Sequence, residues 1–403
     1  MTAPANSQTP TPLLIVIPVY RDLAATRQCI ESVIASELPE NTSVLIIDDH
    51  SPEQDTRDYC REITDNSGFS LLVNETNLGF VASANRGMQF REDADVILLN
   101  SDTLVCADWA ARMQRCAGSD EAIGTVTPFS NNGTICSYPM FNHSNPLPPQ
   151  WTAAQLDNAF SHANASLYAE IPTAVGFCML IKRECLSATG YFDEERFGQG
   201  YGEECDFSLR ASARGWKHVV AADVFVFHQG AASFAESSTG RKQAADDIIG
   251  KLHPQYHELV SQFIERDPLL PLRNRIDAWR MEERAGDRIR VLEEHDRYRQ
   301  ALTAELREQL SKARKAAEAY RLQVIQEREQ GLQLLEDCRQ RFEQTDSALA
   351  QAEQVVADLK QDIQALKQGI ENEQRYAASL KEKIDLMEQS RSWRYTRWLR
   401  RDA

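Results

Sequence analysis

No stretch of this 403-residue chain approaches the roughly 18 consecutive apolar residues of a membrane-spanning helix, so no helical span is expected. Cysteine is scattered: nine residues include no Cys-x-x-Cys pair, which sets aside a zinc ribbon or disulfide scaffold and suits free thiols in a reducing cytosol. Residues 1–11 are rich in Pro, Ser, Thr and Ala and lack the basic and apolar regions of a signal peptide. Positive charge is in deficit, with 44 Lys and Arg against 60 Asp and Glu. The formal net charge of −16 argues against nucleic acid as a partner. Glycine and Val-rich runs nearly vanish after about Asp267, where Glu, Gln, Arg, Lys, Ala and Leu take over. The chain therefore reads as one large domain followed by a helical region.

Within the first part, strand-like runs at 13–17, 44–47, 69–73 and 96–99 alternate with helical patterns at 23–34, 53–63 and 80–90. That βαβα order predicts a parallel sheet with right-handed crossovers. Further strands are read at 122–127, 173–182 and 218–227, and a helix at 153–160. Residues 128–149 form a long Asn-, Ser- and Pro-rich loop, whose Asn131, Asn132 and Tyr138 are expected to shape substrate choice. A Gly-rich turn from Gly198 to Asp206 opens a helical pattern at 207–214.

The run 96–99 ends abruptly in the polar turn Asn100-Ser101-Asp102. Ligands of open α/β sheets bind just beyond the carboxyl ends of such strands, where an Asp can hold a divalent cation and the cation a diphosphate. A lone Asp there is more often a turn former or helix N-cap. Its company changes that reading. Asp48 and Asp49 end the second strand, Glu203, Glu204 and Asp206 open a helix, and His228 ends a late strand.

The strings Ile17-Pro18-Val19-Tyr20, Ile47-Asp48-Asp49-His50-Ser51, Asn77-Leu78-Gly79-Phe80, Leu99-Asn100-Ser101-Asp102, the run opening at Gly176-Phe177, and Gly202-Glu203-Glu204-Cys205-Asp206 occur in that order. Over residues 12–234 the chain resembles a family-2 glycosyltransferase with the GT-A fold. The resemblance implies sugar transfer from a nucleotide-sugar donor to an acceptor hydroxyl with inversion, as a hexosyl- or deoxyhexosyltransferase. Asp48 and Asp49, near Pro18 and Tyr20, would receive the nucleotide base and ribose; a turn with an N-cap is the plainer account of the pair. Asn77 and Gly79 precede a helix and would orient the donor through backbone N–H groups. Asn100-Ser101-Asp102 occupies the family's Asp-x-Asp position with Asn in first place, so Asp102 is its single anionic metal ligand. The cation would be Mg²⁺ or Mn²⁺, with His228 a further ligand or else a satisfied core histidine. Glu204 stands where the family places its catalytic base, as Glu instead of Asp. Glu203 is the fallback, and Asp206 supports the base or binds acceptor.

From about Ile289 the pattern changes. Apolar residues from Phe342 to Met387 alternate by three and four over six heptads, with a gap at Glu373, which predicts a coiled coil and either self-association or a helical partner. The end, 391–403, interleaves Arg391, Arg394, Arg397 and Arg401 with Trp393, Tyr395 and Trp398. It suits a peripheral membrane contact or a solvated or protein-docked helix end. The expected division is a tail (1–11), a GT-A domain (12–265), a helical connection (266–288), a coiled coil (289–390) and a basic aromatic tail (391–403). A cytoplasmic enzyme at the inner membrane face, making bacterial surface polysaccharide on a saccharide or lipid-linked acceptor, fits this architecture. The competing reading is a catalytically degenerate nucleotide-binding scaffold acting through its coiled coil. A nucleotidyltransferase ranks lower, because Pro18-Val19-Tyr20-Arg21-Asp22 follows the first strand where a Gly-rich basic loop would be needed.

Overall fold

The computed structural model describes residues 11–198, 200–230, 238–284, 286–342 and 347–389. The expected tails, 1–10 and 391–403, and residues 231–237 lie outside the described residues. The chain divides into two units, Met1–Arg288 and Ile289–Ala403.

In the first unit the elements run β1 (Leu13–Val19), α1 (Leu23–Ala35), β2 (Thr42–Asp48), α2 (Gln54–Ser67), β3 (Ser70–Val73), α3 (Phe80–Met88), β4 (Asp95–Leu99), β5 (Thr103–Leu104) and α4 (Trp109–Ala117). There follow β6 (Ile123–Phe129), α5 (Ala153–Ala163), β7 (Tyr168–Ile171), β8 (Cys178–Ile181), α6 (Arg183–Thr189), α7 (Glu194–Phe197), α8 (Glu203–Ser212), β9 (Lys217–Phe225) and β10 (Phe227–His228). Helices α9 (Ser238–Leu252), α10 (Tyr256–Arg266) and α11 (Leu270–Glu283) complete it.

Eight strands form one sheet in the order β3-β2-β1-β4-β8-β6-β9-β7, while β5 and β10 pair separately. Strand β1 is apolar and buried almost throughout because both its faces are covered. Leu13, Ile15 and Ile17 meet Ile30 of α1 and Trp109 of α4 on one side. Leu14 and Val16 join Val81 and Met88 of α3 and Phe207 of α8 on the other. Alternation by two thus sends one strand into two cores.

The block β3-β2-β1-β4 is parallel, as its βαβ order predicts. The other half departs from that expectation. Strand β8 runs antiparallel to both β4 and β6, and β7 antiparallel to β9. The reason is the route of entry: Cys178, the first residue of β8, pairs with Leu99, the last of β4, so β8 starts at the sheet's carboxyl edge with no crossover helix. Residues 173–177, expected as strand, precede β8. Near the far edge α5 lies on β9, where Asp157 accepts from the Phe225 N–H and pairs with the buried Arg112 of α4 (2.6 Å). Helix α11 is fastened to the 130–152 loop by Tyr138, whose hydroxyl donates to Asp277 (2.7 Å) and accepts from Arg280 (2.8 Å).

Helix α12 (Asp287–Phe342) starts with the last two residues of the first unit, and from Ile289 onward it makes up the second unit together with α13 (Ser347–Gln389). They run antiparallel: Leu306 packs with Leu380 and Ile384, and the Tyr376 hydroxyl reaches Gln309. Cover for that part of the apolar seam comes from α12 of the same chain. No described helix is long and apolar enough to cross a membrane.

Gly87 of α3 faces β1, and a Cβ there would collide with Val16 and approach Ile47 Cδ1 to 3.2 Å. Gly87→Ala is expected to destabilise by about 1–3 kcal/mol, against a helix-propensity gain of about 1 kcal/mol. The check is the urea midpoint; an unchanged midpoint would mean that α3 can lift from the sheet at little cost.

Candidate active site

At the carboxyl edge of the parallel block, Val19 of β1 stands opposite Asp48 of β2, which places the turn after Pro18 beside the acidic pair. Tyr20 is half-buried there, with the Arg21 guanidinium 5.2 Å from its ring centroid. Asp48 and Asp49 are both buried. Asp48 accepts from the Ser51 N–H (2.9 Å), the bond of a turn cap. Asp49 has a larger task. One carboxylate oxygen accepts from Asn74 Nδ2 (2.7 Å) and the Leu78 N–H (2.8 Å), the other from the Gly79 N–H (2.8 Å). Gly79, at φ 89°, lets the chain turn into α3, leaving Asn77 exposed beside it. Asn74 is itself held by Ser83 Oγ (2.9 Å) and by Arg86. Asn74, Ser83 and Arg86 were not singled out from the sequence. Their one signal is a polar Asn directly after a strand.

Two strands away the Asn100-Ser101-Asp102 turn follows β4. The Asn100 N–H donates to the Phe177 carbonyl (2.9 Å), continuing the β4–β8 pairing by one bond. The Asn100 carbonyl accepts from Thr103 Oγ1 (2.7 Å), while Ser101 and Asp102 are half-buried. Pairing of β10 with β5 sets His228 opposite Thr103, with Nε2 3.4 Å from Asp102 Oδ1. His228 Nδ1 lies 2.7 Å from the Asn132 carbonyl, which can only accept, so Nδ1 carries a proton and Nε2 faces the carboxylate. Burial alone would push this imidazole down; the Asp102 carboxylate beside it outweighs that and lifts it above its usual range. The Phe177 ring stacks on His228 at 5.2 Å and 14°.

Asp102 and His228 form a pair, and among the described residues no three His, Cys, Asp or Glu cluster as a metal site. Their donor set still fits a hard divalent cation. A carboxylate oxygen and an imidazole nitrogen of fixed tautomer converge, and Mg²⁺-type sites fill their remaining positions with water and phosphate.

The third acidic group opens α8 after Gly202 (φ 89°). Glu204 lies against Gly176, where a Cβ would sit 3.7 Å from its carboxyl carbon. The Ser208 hydroxyl fixes this approach, donating to the Glu204 carbonyl (2.6 Å) and accepting from the Ala174 N–H (3.1 Å). Glu203 is buried and Glu204 half-buried, and each has a buried Oε2 without a partner among the described residues. Burial raises both carboxyls above the usual range; the Glu204 charge adds to this for Glu203, whereas N–H groups of the helix start oppose it for Glu204. Asp206 faces elsewhere, holding Arg210 (2.7 Å) and His253 (2.8 Å).

The segment Gly176-Phe177 thus joins the three parts: Gly176 faces Glu204, the Phe177 ring stacks on His228, and its carbonyl holds Asn100. Asn131 and Tyr138 do not take the substrate-facing place expected of them. Asn131 is 4% exposed and clamps the His228 backbone, and Tyr138 is fully buried against α11. Their loop folds inward because its polar groups find partners there.

A GT-A α/β domain with carboxylates along the carboxyl edge of its sheet is the class that this arrangement defines. The family profile described as "Glycosyltransferase like family 2" matches residues 10–243, and the chain belongs to that family. An uncharacterized Sinorhizobium fredii protein, y4gI, is 23% identical over 252 residues, covering 58% of this chain and 26% of that protein. Glycosyltransferase AglE of Haloferax volcanii is 19% identical over 215 residues, covering 53% of this chain and 66% of AglE. The chain thus spans about a quarter and about two thirds of these relatives. Among solved structures, GalNAc-T7 with UDP, GalNAc and Mn²⁺ aligns with a TM-score of 0.48 and 16% identity, covering 70% of this chain and 58% of that one. The mannosyltransferase PcManGT of Pyrobaculum calidifontis, in complex with GDP-Man and Mn²⁺, gives 0.45 and 15%, covering 68% and 76%.

Because the Glu203 carboxyl is raised on folding, its ionisation opposes the fold increasingly as pH rises through that raised value. Glu203→Gln is therefore expected to raise the melting temperature in mildly alkaline buffer, by the equivalent of about 1–3 kcal/mol. The gain should shrink as pH falls into the ordinary carboxylate range. A gain independent of pH would mean that the Glu203 carboxyl holds its proton no more tightly in the folded chain than in the unfolded one.

Proposed function

We propose that this protein transfers a hexosyl or deoxyhexosyl group from a nucleotide-diphosphate-sugar to an acceptor hydroxyl with inversion. The observation that carries the reading is Glu204: a buried carboxylate oxygen without a partner, held against the Gly176-Phe177 segment that also supports Asn100 and His228. A base needs a free lone pair, and its raised affinity for a proton suits it to take one from a hydroxyl.

In the proposed reaction the acceptor O–H loses its proton to the Glu204 carboxylate as its oxygen bonds to the anomeric carbon. The bond from that carbon to the donor's phosphate oxygen breaks from the opposite face, and the nucleoside diphosphate leaves. Asp48, Asp49, Pro18 and Tyr20 frame the nucleotide end. The carboxylate of Asp49 acts there by presenting the turn at Asn77 and Gly79, since its oxygens already hold the Leu78 and Gly79 amides. Asp102 and His228 would hold Mg²⁺ or Mn²⁺, which would neutralise charge developing on the leaving diphosphate. Asn100 and Ser101 shape that turn without adding charge. Asp206 positions α8 through Arg210 and His253.

The acceptor of this proposal is a saccharide or lipid-linked glycan of a bacterial surface-polysaccharide pathway. The division at 12–265, 266–288 and 289–390 belongs to the same proposal, with the second unit serving assembly into a homo-oligomer. Leu322, Ile325 and Leu332 of α12, which remain exposed, support that role. Residues 391–403 would touch the inner face of the membrane.

Glu204→Gln is expected to keep donor affinity in calorimetry while transfer falls by about a hundredfold to ten-thousandfold. The wild-type rate should decline on the acid side through a pKa above the ordinary glutamate range. Undiminished turnover would remove Glu204 from the role. Asp102→Ala should abolish stimulation of donor hydrolysis by Mg²⁺ or Mn²⁺; a variant with full metal dependence would break that assignment.

A further inference from the structure

On the far side of the first unit, α5 and α11 border a groove of about 270 Å³ lined by Trp151, Gln155, Asn158, Trp279, Glu283 and Arg284. It is distinct from the transfer site. Helix α5 lies on β9, which is three strand spacings from β4 in the sheet order, about 14 Å across the ladder.

The two indoles meet at 6.0 Å and 62°, forming an angled aromatic corner. Trp151 is buried and locked: its N–H donates to Asp287, and the Arg284 guanidinium lies 4.4 Å from its ring centroid. Trp279 is half-buried, with the His162 ring stacked on one side of its indole at 6.4 Å and 29°. The corner is rimmed by the amides of Gln155 and Asn158 on the exposed face of α5 and by Glu283 and Arg284, whose charges are of opposite sign.

Ring faces beside planar amides, a carboxylate and a guanidinium match one ligand chemistry well. A hexopyranose has an apolar C–H face to lay on an indole and a rim of hydroxyls that both donate and accept. The volume, near the lower end for small-molecule sites, holds about one such ring. A nucleotide would call for several cations, and an acyl chain would leave the polar rim unpaired.

We infer that this groove is a saccharide-binding subsite for a neutral hexopyranose, separate from the transfer site. In an enzyme that extends glycans it would hold a sugar of the acceptor chain remote from the reacting one. Binding itself does not depend on the catalytic assignment.

The test uses the full-length chain and saturation-transfer NMR with the methyl α- and β-pyranosides of glucose, galactose and mannose. At least one is expected to bind. Trp279→Ala should weaken that binding about tenfold or more, and Gln155→Ala with Asn158→Ala should weaken it in a chain that still folds, its melting temperature lowered only by loss of the bond from the Thr152 N–H to the Gln155 side chain. Glu204→Gln should leave it intact whether or not transfer is lost. Failure of every pyranoside to bind overturns the proposal, as does binding that survives the Gln155/Asn158 double change. Binding lost in Glu204→Gln would put the sugar in the transfer site and overturn it too. If Trp279→Ala does not fold, the double variant on the exposed helix face decides.

Discussion

One backbone contact organises the carboxyl edge of the sheet: the Asn100 amide bonded to the Phe177 carbonyl, where β8 begins its antiparallel run against β4. A parallel strand in that position would have placed its first residue at the opposite edge. Because β8 starts where β4 stops, residues 173–177 lie across the end of the sheet. Helix α8 can then rest Glu204 on Gly176, and the Phe177 ring can back His228. A Cβ at Gly176 would meet the Glu204 carboxyl at 3.7 Å, an ordinary van der Waals contact, so the approach depends on the path of the backbone and not on the missing side chain.

The buried acids around this junction follow two patterns. Asp48, Asp49 and Asp206 are surrounded by N–H donors, a ring nitrogen or a guanidinium, so their charges organise the fold. Glu203 and Glu204 are buried with an oxygen unmatched, an arrangement that costs stability and is typical of groups with a chemical task. The helix start at Gly202 offers amides that favour the charged form of Glu204. It gives less help to Glu203, which also faces its neighbour's charge.

The parallel half of the sheet was legible because each strand is a continuous apolar run separated by a helical pattern, so composition and order agree. The antiparallel half was not. Strand β7, at the edge, is four residues long with Tyr168 and Glu170 exposed on one face and no apolar run to betray it, and 173–182 reads as one apolar stretch although half of it is loop. Among site residues, short acidic strings at strand ends could be found from the sequence. Asn74 and Arg86 could not, since their meaning lies in Asp49, which reaches them only through the fold. Asn131 and Tyr138 misled for a related reason: a polar loop reads as exposed until its long-range partners, the His228 backbone and Asp277, are known.

The opposed directions of α12 and α13 constrain how the second unit can vary. Gly331 faces Leu359 so closely that a side chain there would come within 2.6 Å of Leu359 Cδ1, while Leu306 meets Leu380 and Ile384 further along. These contacts sit at nearly mirror-image distances from the connection between the helices. Removing seven residues from one arm alone would slide every later pairing past its mate, whereas matched removals from both would shorten the rod and keep its seam. Length variation in this region should therefore come in symmetric pairs.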